Sequence, residues 1–318
     1  MEIIQNVTSL ILHRAAAALK TGNLVVFPTE TVYGLGADVM NAAAVARIYK
    51  VKARPKDHPL IVHITSIYNL DKWARKIPDY AINLAQIFWP GPMTLILPRT
   101  EIAKDFITGG QDCVGIRVPD QDIAQKLLTE FENQGGLGIA APSANRFRKI
   151  SPTSARDAHE ELGKYLKRKD IILDGGNCQV GVESTIIDCR SQQPKILRPG
   201  AITLEMIQTT CGVEVSDTDF NHQLKVSGAL GPHYAPLAEV LLSGTPEVGE
   251  GFIATADLPT PKGAIRLAAP RNNLEYAQQL YRALRLADLR KIKKIYVVPP
   301  LNDGLGVAIN DRLGKAAM

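Results

Sequence analysis

Residues 1–211 alternate between two hydrophobic periods. Residues 8–20 follow the 3.6-residue period of an amphipathic helix, and Gly22 stands where such a helix ends. Leu24–Phe27 is an unbroken apolar run of strand length. Asn41 is placed to cap a helix over Ala42–Val51. Strands are expected at Leu60–Ile64, Thr94–Leu97 and Val114–Val118, and a helix at Pro78–Phe88. A second helix, Asp120–Glu132, sets Ile123, Leu127, Leu128 and Phe131 on one face. Strands follow near Leu137–Ala140, Ile171–Leu173, Thr185–Asp188 and Lys195–Arg198.

Helix and strand alternate, which predicts one α/β domain over 1–211 built on a large twisted sheet. Strand pairs joined by short turns predict a mixed sheet. Between 212 and 237 Gly, Ser, Asp, Asn and Pro break the periodicity, and this stretch reads as a linker containing His233-Tyr234-Ala235-Pro236. Residues 238–318 then predict a small Rossmann-like α/β domain. Its strands are expected at Val240–Leu242, Phe252–Ala254, Ala264–Ala268 and Ile295–Val298. Its helices are expected at Leu274–Leu286, capped by Asn273, and at Gly306–Ala316.

Composition narrows this only slightly. A chain of 318 residues with 45% hydrophobic content is globular rather than disordered. A net charge of +5 is compatible with an RNA partner and equally with a solvated basic surface. The four cysteines form no C-x-x-C pair, which argues against zinc. The N-terminus lacks the pattern of a secretory signal and no apolar run reaches about 18 residues, so a cytoplasmic protein without a membrane span is expected.

The chemistry concentrates at the ends of the apolar runs. Pro28-Thr29-Glu30-Thr31-Val32-Tyr33-Gly34-Leu35-Gly36 reads as a hydroxyl-rich, glycine-containing loop behind the first strand, and the next helical segment delivers Lys50, Lys52 and Arg54. Hydroxyls and backbone N–H groups orient small polar molecules; fixed cations hold phosphates. Arg117, Ser143, Asn145, Ser184 and Arg198 sit at other strand ends, at the rim where open α/β sheets bind ligands. No G-x-x-x-x-G-K-[ST] loop is present, so a nucleotide would be held by scattered side chains. Taken one at a time, these residues also have plain readings. The Lys50–Arg54 cations suit a helix C-terminus, His63 a strand end, and Pro-Ser-Ala-Asn a turn.

The motifs PTETVYGLG, KARP, PLIVH, GPMTLIL, GIRVP, APSAN with a following SPT, ESTIID, LRPG and HYAP occur in that order from Pro28 to Pro236. Together they make the chain resemble the Sua5/YrdC family, in its longer two-domain Sua5 form. The resemblance implies a YrdC-like catalytic domain over 1–211, the HYAP linker and a Sua5-type C-terminal domain. It implies synthesis of threonylcarbamoyl-AMP from L-threonine, bicarbonate and ATP, as donor for adenosine 37 of tRNA.

Carried over residue by residue, the resemblance places Lys50, Arg54, His58, Cys113, Ser143, Asn145, Ser151, Arg198 and Tyr234 on ATP. It places Thr31, His63, Arg117, Ala141 and Ser184 on threonine, with Lys52 and Arg54 acting in catalysis. At Cys113 a small hydroxyl, and at His58 an asparagine, would be the more usual residue. Magnesium is expected with ATP rather than on protein side chains; Glu183 is the one carboxylate in the motifs, and it reads equally as a structural hydrogen-bonding group. The implied partners are ATP, threonine, bicarbonate, the tRNA threonylcarbamoyl-transferase machinery and tRNA itself. The HYAP linker is expected to act as a lid. Two other readings stay open at this point: a non-catalytic tRNA- or double-stranded-RNA-binding protein, and a carbamoyl-transfer module of the kind found within larger carbamoyltransferases.

Overall fold

The computed structural model describes residues 2–215, 224–226, 228 and 233–318. The linker expected at 212–237 therefore lies partly outside the described residues. The large sheet comprises β1 (Ile3–Ile4), β2 (Val25–Phe27), β3 (Gly34–Asp38), β4 (Ile61–His63), β5 (Met93–Pro98), β6 (Cys113–Arg117), β7 (Ile139–Ala140), β8 (Ile171–Leu173), β9 (Thr185–Asp188) and β10 (Lys195–Arg198). Its order is β1-β8-β2-β3-β7-β4-β6-β5-β9-β10. The β4–β6 and β5–β9 pairs are parallel, whereas β2–β3, β5–β6 and β9–β10 are antiparallel, so the sheet is mixed.

The small sheet holds β11 (Glu239–Leu241), β12 (Gly251–Ile253), β13 (Ile265–Ala268) and β14 (Lys294–Val297) in the order β11-β14-β12-β13, with every pair parallel. Helices Asn273–Leu289 and Leu305–Ala316 pack on it. Its apolar core also takes in Val32, Ile150 and Val182 from the large domain, so the seam between the sheets is continuous with a core. Among the described residues no helix is long and apolar enough to cross a membrane.

The caps explain the helix starts. Asn41 accepts from Ala44 N at 3.0 Å, as expected. In the small domain the cap is Asn272, accepting from Glu275 N, one residue before the expected Asn273. Two adjacent asparagines make either start plausible in sequence; the extended backbone of Asn272 decides it. The glycine-rich segment after Thr31 is not all loop. Gly34–Asp38 forms β3 against β2, and a Cβ on Gly36 would stand 2.8 Å from Ile139 and 2.9 Å from Phe27. That close approach of three strands is why glycine sits inside a strand. Helices Ala155–Leu162 and Leu204–Cys211 were not expected; each is only eight residues long and buries two or three side chains, two of the three in Ala155–Leu162 being alanines.

Candidate active site

The sheet brings two distant residues side by side. His63 ends β4 and Arg117 ends β6, and the two are register partners in the parallel pair. Arg117 Nη2 donates to Glu30 Oε1 at 2.7 Å and to Thr31 Oγ1 at 2.8 Å. Thr31 is itself fixed by Thr29, whose hydroxyl meets Thr31 Oγ1 at 2.9 Å and donates to Val32 O at 2.6 Å.

On the neighbouring side, a bulge between Ile196 and Arg198 interrupts the β9–β10 ladder and re-aims Arg198. Its guanidinium donates to Ser184 O at 2.8 Å and to Ser184 Oγ at 3.1 Å, and Ser184 also meets Thr94 Oγ1 at 2.8 Å. Gly200 makes this corner possible, because a Cβ there would lie 2.3 Å from Thr185 N. The resulting cleft is lined by His63, Arg117, Ala141, Ser143, Ser184, Arg198, His233 and Tyr234 among others, and has room for about 40 Å³. That suffices for a few water molecules. The linker residues His233 and Tyr234 fill its mouth.

Beside the cleft lies a buried concentration of positive charge. Lys52 donates to Ser143 O at 2.6 Å and to Asn145 O at 2.5 Å, and so ties down the loop of the Pro-Ser-Ala-Asn motif. Arg54 donates to Pro59 O at 2.9 Å. Burial first, and neighbouring cations next, hold Lys52 well below its ordinary pKa; burial likewise brings Arg54 down to about 10.

Glu183 is the counterweight. Its Oε1 accepts from Ser151 at 2.5 Å, and its Oε2 accepts from Tyr281 at 2.8 Å and Arg312 at 2.9 Å. Burial pushes its pKa up, but the charges of Arg312 and Arg198 and these hydrogen bonds outweigh that and hold it at about 2. Both oxygens of Glu183 are engaged in these hydrogen bonds.

Both cleft imidazoles are neutral. Burial, with Arg117 beside His63 and Lys52, Arg54 and Arg198 around His233, lowers each to about 3. In the unfolded chain a histidine titrates near 6.5. As the pH falls below that value the unfolded state binds protons that the folded state refuses, so stability falls between about 6.5 and 3. Glu183 adds to the loss below its ordinary range, since its folded pKa is depressed. The melting temperature is therefore expected to drop steeply from pH 6.5 to pH 4, with a shallower drop in His63→Gln. An equally steep drop in that variant would remove His63 as a cause.

The remaining expected site residues fall into three groups. Thr31 and Ser151 stand one hydrogen bond behind the cleft wall, on Arg117 and Glu183. Lys52, Arg54 and Asn145 are buried in the adjoining loop, where Asn145 Nδ2 donates to Arg146 O and Lys149 O and its Oδ1 is unpartnered among the described residues. His58 is at the rim, edge-on to Phe147, which is edge-on in turn to His233.

Lys50 and Cys113 are not brought into the cleft. Lys50 is exposed on the last turn of its helix. Cys113 packs with Ile96, Ile186, Leu197 and Val226 in a separate apolar cluster, and burial raises its thiol to about 11. Five residues at the site had escaped selection: Glu30, Phe147, His233, Tyr281 and Arg312. Glu30 and His233 lie inside motifs that point to the site. Tyr281 and Arg312 carry no local signal, being about a hundred residues from the Glu183 they touch.

The chain resembles known proteins along its whole length. Residues 17–200 match the Sua5/YciO/YrdC family model, described as telomere recombination, and residues 202–318 match the model of the threonylcarbamoyl-AMP synthase C-terminal domain. The chain belongs to the Sua5/YrdC family. Its two matched regions make it one of the longer, two-domain Sua5 members. It is 38% identical over 340 residues to the threonylcarbamoyl-AMP synthase of Pyrococcus abyssi, covering 100% of this chain and 98% of that one. It is 39% identical over 325 residues to the Bacillus subtilis enzyme of the same name, covering 96% of this chain and 92% of that protein. The crystal structure of P. abyssi Sua5 complexed with L-threonine superposes with a TM-score of 0.89 at 36% identity, over 100% of this chain and 98% of that one.

Proposed function

We propose that this Sua5 family member is an L-threonylcarbamoyladenylate synthase, a nucleotidyltransferase that makes threonylcarbamoyl-AMP and pyrophosphate from L-threonine, bicarbonate or CO2, and ATP. The observation that carries the reading is the meeting of His63–Arg117 with Ser184–Arg198 in one cleft, beside the buried cations Lys52 and Arg54. An arginine held rigid by Glu30 and Thr31 suits an amino-acid carboxylate. His63, Ala141 and Ser184 then surround the rest of threonine, with Thr31 behind them holding Arg117. Arg54, Arg198, Ser143, Asn145, Ser151 and, over the top, Tyr234 serve the nucleotide, with His58 at its edge. Exposed Lys50 and apolar-packed Cys113 are left with at most an indirect part.

In the reaction, the threonine amine attacks the carbon of CO2, forming the N–C bond and losing a proton. A carbamate oxygen then attacks the α-phosphorus; the new O–P bond forms as the bond to the bridging oxygen breaks and pyrophosphate leaves. No covalent enzyme intermediate is needed, so this chain works by positioning and by charge. Magnesium arriving with ATP would neutralise charge on the phosphate oxygens. Glu183 does not suit it, because both of its oxygens are engaged, and Glu30 has one oxygen on Arg117 with Oε2 unpartnered among the described residues. The described linker residues His233 and Tyr234 would move aside to admit ATP, for which about 40 Å³ is far too small, and return to keep water from the adenylate. The product passes to the tRNA threonylcarbamoyl-transferase machinery.

The test is pyrophosphate release by the full chain with Mg-ATP, threonine and bicarbonate, each omitted in turn, and with L-serine replacing threonine. Release that needs all of them is the expected result. No release from folded, ATP-binding protein would favour the RNA-binding reading. A chain cut before Ser227, which lies outside the described residues, tests the lid; undiminished product yield from it would sink that role.

A further inference from the structure

Arg312 is a buried point of contact between the small domain and the large one. It sits on the helix Leu305–Ala316, and its guanidinium is fully buried. Nε donates to Glu183 Oε2 at 2.9 Å, Nη2 to Pro199 O at 3.0 Å and Nη1 to Asp311 Oδ2 at 2.5 Å, while the plane stands 5.4 Å from the ring of Tyr234. Each large-domain contact is next in sequence, or one hydrogen bond away, to a residue of the cleft. Glu183 precedes Ser184 and accepts from Ser151; Pro199 follows Arg198, which donates to Ser184. Tyr234 lines the cleft mouth, with a backbone φ of 63° that a tyrosine adopts only where its surroundings hold it.

One planar fork thus joins the segment entering β9, the segment leaving β10 and the linker. Lysine, a point charge on a flexible stem, cannot reproduce that geometry. Asp311 is shared with Lys315, whose Nζ donates to Gly228 O of the linker at 2.7 Å, so the same helix turn grips the linker twice.

We propose that Arg312, a residue of the small domain, is a positioning residue for adenylate synthesis: through Glu183 and Pro199 it sets Ser184, Ser151 and Arg198, and through Tyr234 it sets the linker. The proposal rests on the synthase reading above. It gives the small domain a part in the chemistry without any atom of Arg312 meeting a substrate.

The test compares full-length wild type with Arg312→Lys, Arg312→Met and the double variant Glu183→Gln/Arg312→Met. Pyrophosphate release is measured against threonine at saturating Mg-ATP and bicarbonate, with a thermal melt of each protein. Arg312→Met is expected to lower kcat about 100-fold and raise the threonine KM several-fold, and Arg312→Lys to restore only part of kcat. The double variant removes guanidinium and carboxylate together, so neither is left buried without the other, and it is expected to melt closer to wild type than Arg312→Met and still turn over slowly. That split separates positioning from scaffold. A folded double variant with wild-type kcat and KM overturns the proposal. Should neither Met variant fold, wild-type kinetics in Arg312→Lys overturn it, since an ammonium cannot span Glu183 and Pro199 together. Wild type that releases no pyrophosphate sinks the synthase reading and this proposal with it.

Discussion

Arg117→Met is expected to cost both threonine recognition and stability, and a second substitution separates the two. Arg117 and Glu30 form an ion pair at 2.7 Å in which both side chains are 5% exposed. Removing the guanidinium strands a buried carboxylate, which typically costs about 3–5 kcal/mol. It also removes the fork that would hold the threonine carboxylate, so the threonine KM should rise by roughly a hundredfold or more. Glu30→Gln/Arg117→Met leaves no stranded charge. It should recover most of the lost melting temperature and none of the threonine affinity, while the KM for ATP stays within a few-fold of wild type. Recovery of both would show that Arg117 acts only through the fold. Loss of ATP affinity in parallel with threonine would place Arg117 on the wrong substrate.

The two residues of this pair also show what was legible in the chain. Arg117 stood at the end of a short apolar run closed by proline, a pattern that places a polar residue at the sheet rim. Its partner Glu30 lay in the open within the PTET motif and was passed over, because a carboxylate among hydroxyls looks like turn chemistry until the topology shows what faces it. The same holds for His63. Its strand was expected, but only the β4–β6 register puts it opposite Arg117. Local pattern therefore places groups at strand ends, and pairing order decides which ends meet.

The glycine-rich strand β3 was missed for the opposite reason. Gly34 and Gly36 read as loop residues, yet the crowding of Phe27 and Ile139 demands them inside a strand. Arg312 and Tyr281 were beyond reach. What marks them is contact with Glu183 from another domain, and nothing around them in sequence differs from an ordinary amphipathic helix.

Arg54 is the residue at which function and stability should pull in opposite directions. Its guanidinium is buried and makes no ion pair among the described residues; it donates to Pro59 O and, at 3.4 Å, to His58 O. Burial lowers its pKa to about 10, from an ordinary value of 12.5. A cation whose folded pKa lies below its unfolded one destabilises the fold at neutral pH, and the penalty is relieved only as the pH rises through about 10 towards 12.5. At about 1.4 kcal/mol per pH unit that penalty is on the order of 3 kcal/mol. Such a charge is kept where an anion is to be bound.

Arg54→Met should therefore melt at or above the wild-type temperature, because losing two carbonyl contacts costs no more than removing the buried charge releases. Its kcat/KM for ATP should fall by about 10²–10³, the usual cost of removing one preorganised donor to developing phosphate charge. Arg54→Lys should recover little, lacking the fork. Lys52→Met gives the contrast. Lys52 holds Ser143 O and Asn145 O directly, so its loss should loosen that loop and lower activity and melting temperature together. A melting temperature that falls in step with activity in Arg54→Met as well would make Arg54 one more anchor of the loop, and would leave Arg198 as the cation to test on the phosphates.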